Sequence, residues 1–479
     1  MSDIDVLVIG GGIAGLSIAT SLVQEGVSVE LWESSSRPGG KIETDRDNGG
    51  YVTERAANMV MNFRPEVNRF IERSNLVARK SILAPVVQRY MIHDGKLVTV
   101  PTRLAAMINS PIWSLTGRLR LLAEPFIRKR GHEDETVSEF ITRRLGREVL
   151  LKAMEPYVSG VLASNPELAS ARSVLPRLTG LEERYGSLTL GILAHKLLRK
   201  RTAVPHESFS FEGGMSTLVE CLVNNPSIRI RSDHTAVRLH KQGSNWRVTG
   251  SASGTELSVT ARQVVLSVPA DTAAELLNPL DQDLARLLRG VQYTPMTVVH
   301  TGFDRHAVRH PLDGTGFLIP QRVSAAATGC LWMSSLFSDR APPGKILFTN
   351  YLGGARLPEA VEWDDRRSLS QILEAISPLL GIRGDPEMVR IDRHDSALPL
   401  YHGRYYGRMR AITDCLHQLP GLHLEANYRS GVSVRDRIAC AYNVAKRIAA
   451  EQETPYKRSV GSLLNQDNLD IEQQNLYQS

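Results

Sequence analysis

The feature that most narrows what this chain can fold into is an uncharged run from Val6 to Val23, 18 residues long and broken by Gly10, Gly11, Gly12 and Gly15. Its length alone would suit a membrane span or a signal peptide. Asp3 and Asp5 stand where a signal peptide carries positive charge, and four glycines would weaken a membrane helix, so both readings are set aside. Soluble structure accounts for the run better. Ile4 to Ile9 is a β-rich stretch, Ile13 to Gln24 has helical spacing, and Val27 to Trp32 reads as a second strand, which together make a βαβ unit. Gly10-x-Gly12-x-x-Gly15 occupies the turn from strand to helix. There Gly10 permits the tight turn, Gly12 lets a pyrophosphate approach the backbone and Gly15 allows close helix packing, with Ile13 and Ala14 in the same cofactor-binding turn. Glu33, followed by Ser34, ends the second strand. Its carboxylate is placed to accept hydrogen bonds from a ribose 2′-hydroxyl and to repel a 2′-phosphate. The unit predicts a dinucleotide-binding domain.

A chain of 479 residues has room for about three domains. With 42% apolar and 23% charged residues its composition is globular, not disordered or fibrous. Cys221, Cys330, Cys415 and Cys440 lie far apart, with no C-x-x-C pair and no histidine at metal-ligand spacing. This argues against a disulfide framework or a metal module, and for a reducing, cytoplasmic compartment. No catalytic triad, acid/base carboxylate pair or nucleophilic cysteine stands out. The net charge is +6, but residues 101–201 hold 17 Lys/Arg against 10 Asp/Glu. Such a section suits acidic lipid headgroups, nucleic acid or an acidic substrate, or is simply a solvated face.

Arg37-Pro38-Gly39-Gly40-Lys41-Ile42-Glu43-Thr44 follows closely on Glu33. A Gly-Gly pair beside basic residues offers unhindered backbone N–H groups and charge to a second stretch of pyrophosphate. This segment resembles the glycine doublet of flavin amine oxidases, phytoene desaturases and protoporphyrinogen oxidases, which favours FAD over NAD. At the other end Leu422 to Asn427 reads as a last strand, and Gly431-Val432-Ser433-Val434 opens a helix that runs to about Ala450. Its N-terminus can set backbone N–H groups against a phosphate or the flavin ring.

Most of residues 4–450 resembles the protoporphyrinogen oxidase family. The resemblance is carried by Gly50-Tyr51-Val52-Thr53-Glu54-Arg55, by Arg143 to Val149 with Glu155 to Val161, and by Phe209-Ser210-Phe211-Glu212-Gly213-Gly214-Met215. Ser335-Leu336-Phe337, Arg340-Ala341-Pro342 and Gly353-Gly354-Ala355-Arg356 add a later block. Three departures stand out. Ala56-Ala57 replaces the usual Gly-Pro, Ala426 replaces a glycine of the C-terminal flavin motif, and His394 holds the place where a Trp commonly lies near the flavin. Each added methyl narrows backbone approach to FAD unless the loop shifts.

The resemblance implies an α/β fold with a Rossmann-like FAD-binding domain over 1–80, 206–270 and 415–450. Inserted in it are an α+β substrate domain over 81–100 and 271–414 and a helical membrane-binding domain over 101–205, and a polar tail covers 451–479. It implies non-covalent FAD, since Cys440 does not match the position that carries covalent flavin. Arg37, Gly39, Gly40, Lys41, Val237, Ala426, Gly431, Val432 and Val434 join the first glycine turn and Glu33 as cofactor-binding residues. The implied reaction is porphyrinogen oxidation in tetrapyrrole biosynthesis, with O₂ reoxidising the flavin to give H₂O₂. Forming the aromatic macrocycle removes six electrons, so a two-electron acceptor acts three times. Hydride loss from a meso carbon needs the ring held flat against flavin N5 with water excluded. An apolar slot and carboxylate clamps are therefore expected, with no catalytic side chain.

Arg89, in Gln88-Arg89-Tyr90-Met91-Ile92, is the expected clamp, aligning with an arginine that pairs with a substrate propionate in the family. An edge-strand arginine in water is the alternative. Tyr90 is placed with it. Leu318 and Tyr351 are expected in the slot, or else in plain core, and Gly160 against the macrocycle, or else in a simple turn. Arg89 favours protoporphyrinogen IX over coproporphyrinogen III. Another flavin oxidase, such as an amine oxidase, and a non-catalytic FAD or porphyrin binder stay open, although His394 with Leu398 does not supply the aromatic pair of an amine oxidase. Leu104 to Gly117 is charge-free, contains Trp113 and is bounded by Arg103, Arg118 and Arg120. It suits an interfacial helix lying on a bilayer, or a helix packed on its own domain. The expected partners are a porphyrinogen, O₂, the inner face of the cytoplasmic membrane and a second copy in a homodimer, without nucleic acid.

Overall fold

The computed structural model describes residues 4–83, 88–100, 110, 112–128, 131–198, 206–324 and 326–453. The βαβ unit forms as its pattern requires, with strand Ile4–Ile9, helix Ile13–Gln24 and strand Val29–Trp32, which starts two residues later than expected. These strands are parallel, Val6 opposite Val29 and Ile9 opposite Trp32. Strand Thr255–Leu266 organises the rest of this seven-stranded sheet. Its last residues pair in parallel with Ile4–Ile9 on one side and with Leu422–Leu424 on the other. Its first residues pair antiparallel with Asn245–Ala252, which in turn pairs with His234–Gln242. The domain is thus closed only when the C-terminal strand and helix return to the N-terminal unit.

Alternation along Ile4–Ile9 divides the core in two. Val6 and Val8 point into one layer with helices Ile13–Gln24 and Val434–Glu453, which supply Leu16, Leu22, Ile438 and Ile448. Leu7 and Ile9 point into the other, with Trp246, Leu277, Leu284 and Ile412. That second layer corrects the expected domain boundaries. Helices Ala270–Leu277, Gln282–Arg289 and Tyr405–His417 pack on the first sheet, where burying their apolar faces completes its core, and not on the substrate sheet.

A second seven-stranded sheet runs Met388–Pro399, Tyr293–Asp304, Lys345–Gly353, Ala327–Trp332, Gly314–Leu318, Gln88–His93, Lys96–Thr99. Helix Asp365–Leu380 covers one face through Ile372 and Ile376, against Phe303, Phe348 and Trp332. The other face looks toward the first domain and toward helix Glu155–Leu162. Together these sheets give the expected α/β class, a Rossmann-like domain carrying an inserted α+β domain.

The helical segment between them is held by buried charge. Glu124 and Arg144 are both fully buried and paired. Glu124 also accepts from Ser187 Oγ (2.7 Å), Leu188 N (2.9 Å) and Thr189 N (2.9 Å), so its carboxylate caps helix Leu188–Leu198. Burial disfavours its charge, but the bonds from Thr189, Ser187 and Leu188 outweigh that and hold its pKa below the usual carboxylate range. Arg143 forks onto Glu135 (2.7 and 2.8 Å) and Glu182 (2.7 and 3.0 Å). The Arg143-Arg144 pair is thus the segment's internal tie. Trp113 corrects the expectation of a lipid-facing anchor: it is 7% exposed and packs with Phe140, Ile141 and Val158. Residues 104–109 and 111 of that expected interfacial helix, and residues 454–479 of the tail, lie outside the described residues. No helix among the described residues is long and apolar enough to cross a membrane.

Arg144→Met should leave Glu124 buried without its cation and lower the opening free energy of helix Leu188–Leu198 by about 3–5 kcal/mol. Amide hydrogen exchange reads this locally. Protection in that helix equal to wild type would show that the ion pair does not hold it.

Candidate functional site

The two glycine-rich stretches meet. Gly39 N donates to Gly11 O at 2.8 Å, and a Cβ on Gly40 would stand 3.2 Å from the Cα of Gly12. Gly10 has φ +103°, and a Cβ there would lie 2.5 Å from Ser267 O. A Cβ on Gly15 would lie 1.9 Å from Gly10 O, so strand and helix approach as closely as backbones can. Gly12 differs from these. Its φ is −71°, and among the described residues no atom beyond its chain neighbours comes within 4 Å of where a Cβ would stand. Open space therefore faces the first turn of helix Ile13–Gln24, which carries no acidic residue and no side-chain cap. This is the room and the polarity that a pyrophosphate needs. Glu33 stands at the end of its strand, its Oε2 accepting from Gly11 N at 2.6 Å and its Oε1 from Ser35 N at 2.8 Å. Ser34 Oγ reaches the same carboxylate at 3.4 Å.

Basic residues of the doublet act on protein first. Arg37 donates to Gly40 O (2.9 Å) and Ile42 O (3.1 Å) and pairs with Glu43, shaping the loop. Lys41 donates to Ser396 O and to Ala397 O, the latter at 2.8 Å, and the protein crowded around its ammonium lowers its pKa to about 8. Val237 lies at a β-bulge, without a register partner and 61% exposed. At the C-terminal end Gly431 has φ +106°, and helix Val434–Glu453 opens three residues later than expected, after Val432 and Ser433. Ser433 Oγ accepts from Asp436 N (3.1 Å) and donates to its carboxylate (2.6 Å), capping the helix. Ala426 is buried in the core, and Arg437 pins its carbonyl at 2.6 Å.

Facing these loops, the register of the second sheet lines up Met91, Leu318, Gly329, Tyr351, Val298 and Asp392 across five strand pairings. Arg89 lies two residues from Met91 and so on the same face. It is exposed, and no hydrogen bond or ion pair joins its guanidinium to another described residue. Tyr90 is the correction: on the opposite face its hydroxyl donates to Asp313 (2.5 Å) and its ring packs against His310 and Trp332. A strand cannot turn consecutive side chains to one side. Gly160 lies where a Cβ would come 2.5 Å from Leu318 Cδ2 and 2.9 Å from Thr328 O. Its bareness therefore seats helix Glu155–Leu162 on Leu318.

Three contacts join the glycine loops to this face. Asn58 Nδ2 donates to Tyr351 OH (2.6 Å), His394 Nε2 meets Arg55 O (2.8 Å), and Lys41 holds Ala397 O. Asn58 Oδ1 is buried without a partner among the described residues. Sequence reasoning missed Asn58, whose signal was its place directly after Ala56-Ala57. Below it, burial pushes Glu54 up to about 7, though bonds from Met215 N (2.7 Å) and Thr44 Oγ1 (2.7 Å) oppose this. Burial also lowers His300 to about 4, leaving it neutral, with Nδ1 on Thr349 Oγ1 at 3.0 Å. Burial likewise lowers the His394 pKa. The described residues hold no cluster of three or more metal-ligating side chains.

A dinucleotide turn, a glycine doublet and a returning C-terminal helix around one open space define a dinucleotide-dependent enzyme. The chain belongs to the family of flavin containing amine oxidoreductases, matching over residues 13–449. It is 28% identical over 480 residues to protoporphyrinogen oxidase 2, chloroplastic/mitochondrial, of Arabidopsis thaliana, covering 94% of each chain. To the coproporphyrinogen III oxidase of Bacillus subtilis (strain 168) it is 26% identical over 452 residues, covering 90% of this chain and 95% of that one. A crystal structure from Exiguobacterium sp. 255-15, of a candidate protoporphyrinogen oxidase, superposes with a TM-score of 0.76 at 23% identity, over 94% of this chain and 100% of the other. The protein is a flavin-containing oxidoreductase.

Gly12→Val should fold normally, because its backbone angles and surroundings admit a side chain, yet carry less than a tenth of the wild-type flavin after purification. Glu33→Ala should weaken flavin binding by about 1.5–3 kcal/mol. Absorbance of acid-released flavin measures both, and full flavin content in Gly12→Val would move the pyrophosphate elsewhere.

Proposed function

We propose that the protein oxidises a porphyrinogen to the porphyrin, protoporphyrinogen IX in the first place, with non-covalent FAD and with O₂ as the acceptor that becomes H₂O₂. The observation that carries this reading is Arg89, a guanidinium unpaired among the described residues on the same sheet face as Leu318 and Tyr351. A flat, apolar macrocycle with propionates on one edge matches a row of half-buried Leu318, buried Gly329 and half-buried Tyr351 ending beside an arginine. FAD bound against the two glycine stretches would supply two-electron acceptance. The chain's own part is to bind and orient. Arg89 grips a propionate, Leu318 and Tyr351 bound the ring plane, and Asn58 fixes the Tyr351 hydroxyl. The buried Cys440, 5% exposed and near Arg437, supports a non-covalent cofactor.

Peripheral contact with the inner face of the cytoplasmic membrane completes the reading, but through other residues than Trp113. Leu115, Leu119 and Leu122 share one face of helix Leu115–Leu122 and are 73%, 59% and 59% exposed, and Phe126 follows at 85%. Leu190, Leu193 and Leu197 form a second exposed apolar stripe on helix Leu188–Leu198, and Arg128 stands exposed nearby. Apolar stripes with a basic rim suit insertion among lipid headgroups.

Arg89→Ala should keep its flavin and raise KM more than it lowers kcat. A propionate far from the reacting carbon carries the same charge in ground and transition states, so its contact is uniform binding. The loss in kcat/KM should be roughly tenfold to a hundredfold, the scale of one charge-assisted hydrogen bond. Steady-state oxidation of protoporphyrinogen IX under air, followed by porphyrin fluorescence, measures this, and wild-type kinetics in the variant would remove Arg89 from the site. For the membrane, Leu119→Asp with Phe126→Asp should abolish flotation with anionic liposomes, and high salt should weaken it in the wild type. Flotation unchanged in the double variant would place the contact elsewhere.

A further inference from the structure

A cavity of about 360 Å³ lies at the other end of the first helix from the glycine turn. Gly12 stands at the N-terminus of helix Ile13–Gln24, while Thr20 and Gln24, toward its C-terminus, line the cavity. Gly12 and Gln24 are roughly 18 Å apart along the helix axis, so this space is separate from the one that faces the glycine turn. The rest of the wall comes from the end of helix Pro65–Arg73 with the turn that follows it, and from the end of helix Ser216–Val223. In that turn Asn75 is left-handed, with φ +55°, and the next residue, Leu76, is buried. Ser74, Asn75 and Arg79 line the cavity on this side, and Cys221 and Asn225 on the other.

The wall carries polar groups that the protein itself does not use. Thr20 is 2% exposed, and its Oγ1, like Ser74 Oγ, is buried without a hydrogen-bond partner among the described residues. The Arg79 guanidinium is exposed, and neither it nor the side-chain amides of Gln24 and Asn75 make a hydrogen bond or ion pair with another described residue. Asn225 accepts from Ser227 N through Oδ1 (3.1 Å), which leaves its Nδ2 to the cavity. Arg73 differs, since it is taken up by Glu25 (2.9 Å) and by Gln24 O. Cys221 Sγ donates to Ser74 O at 3.2 Å. Burial raises the pKa of this thiol and the charge of Arg79 opposes that, which sets thiol and guanidinium at the same space.

A buried polar group without a partner destabilises the fold, and a ligand that bonds to it offsets that cost. One guanidinium calls for one anionic group. Amides and hydroxyls, which both donate and accept, call for hydroxyls beside it. A cavity near the lower end of the usual range for small-molecule sites limits the ligand to a compact one. We propose that this cavity is a second ligand site, which takes a small hydroxylated molecule bearing one phosphate or carboxylate group. Arg79 holds the anion, and Gln24, Asn75, Asn225 and the two buried hydroxyls hold the rest. The site stands independently of the porphyrinogen reading.

The test is alkylation of Cys221 by iodoacetamide in the flavin-loaded protein, read by peptide mass spectrometry with glycerol 3-phosphate, glycerate or glycerol added. Cys415, half-buried on helix Tyr405–His417 and outside this cavity, is the internal control. Glycerol 3-phosphate or glycerate should slow the reaction of Cys221 severalfold and leave Cys415 unchanged, while glycerol, which has no charge, should protect little. Which of the two anions acts tells phosphate from carboxylate. Arg79→Ala should require roughly tenfold more ligand for the same protection, the scale of one charge-assisted hydrogen bond. Arg79→Lys, keeping the charge, should fall between. Each variant is compared with its own rate without ligand, and flavin content reports its folding. Arg79→Lys carries the test where Arg79→Ala does not fold. Cys221 that reacts equally with and without either anion overturns the site, as does protection by glycerol as strong as that by an anion. Protection unchanged in both folded variants overturns it as well.

Discussion

Everything in this molecule hangs on how closely two backbones approach at the first turn. With Gly15 set directly beneath the carbonyl of Gly10, the helix N-terminus is brought up to the end of the first strand, and Gly39 can then bond to Gly11 from the other side. A Cβ at Gly10 would stand 2.5 Å from Ser267 O and one at Gly15 1.9 Å from Gly10 O, so a side chain at either would push these segments apart. Gly12 is bare for a different reason, since no described residue claims the space beside it. The same motif thus contains glycines that serve the fold and one that serves a ligand. Only the structure tells them apart.

From that turn the site is assembled by contacts across the domain boundary. Lys41, Arg55 and Asn58 all come from the loops that follow the first βαβ unit, and each meets the second sheet on strands Met388–Pro399 or Lys345–Gly353. The segment that would touch a flavin is therefore the segment that positions the slot. Burial enforces this coupling, because His300, Glu54 and Asn58 lie in one layer with little water, where a misplaced polar group costs about 1–3 kcal/mol. His394, in the position of an expected aromatic residue, serves the seam through Arg55 O, which explains how the chain tolerates that replacement.

Local periodicity made the first domain legible. The strand Ile4–Ile9 and the helix Ile13–Gln24 appear with the bounds that alternation and helical spacing indicate, because both are decided by neighbours along the chain. Arg89 and Tyr90 show where that ends. Their strand was clear, but which of the two faces the slot follows from its parallel pairing with Gly314–Leu318, over two hundred residues away. Trp113 shows it again: an aromatic residue in an uncharged stretch bounded by arginines reads as a lipid anchor until Phe140 and Val158 are brought to cover it. Helices Ala270–Leu277 and Tyr405–His417, which lie largely in the stretch expected to form the substrate domain, pack on the first sheet for the same reason, since sequence order says where an apolar face lies and not what it will meet.

The layout also separates the two tasks an oxidase of this kind must perform. In the proposed reading, holding the cofactor falls to backbone, to glycines and helix ends. In the same reading, holding the substrate falls to a side chain instead, Arg89 on an exposed strand. Arg89 stands on a strand of the second sheet, apart from the turn formed by Gly10, Gly12 and Gly15, so a substitution there leaves that turn untouched.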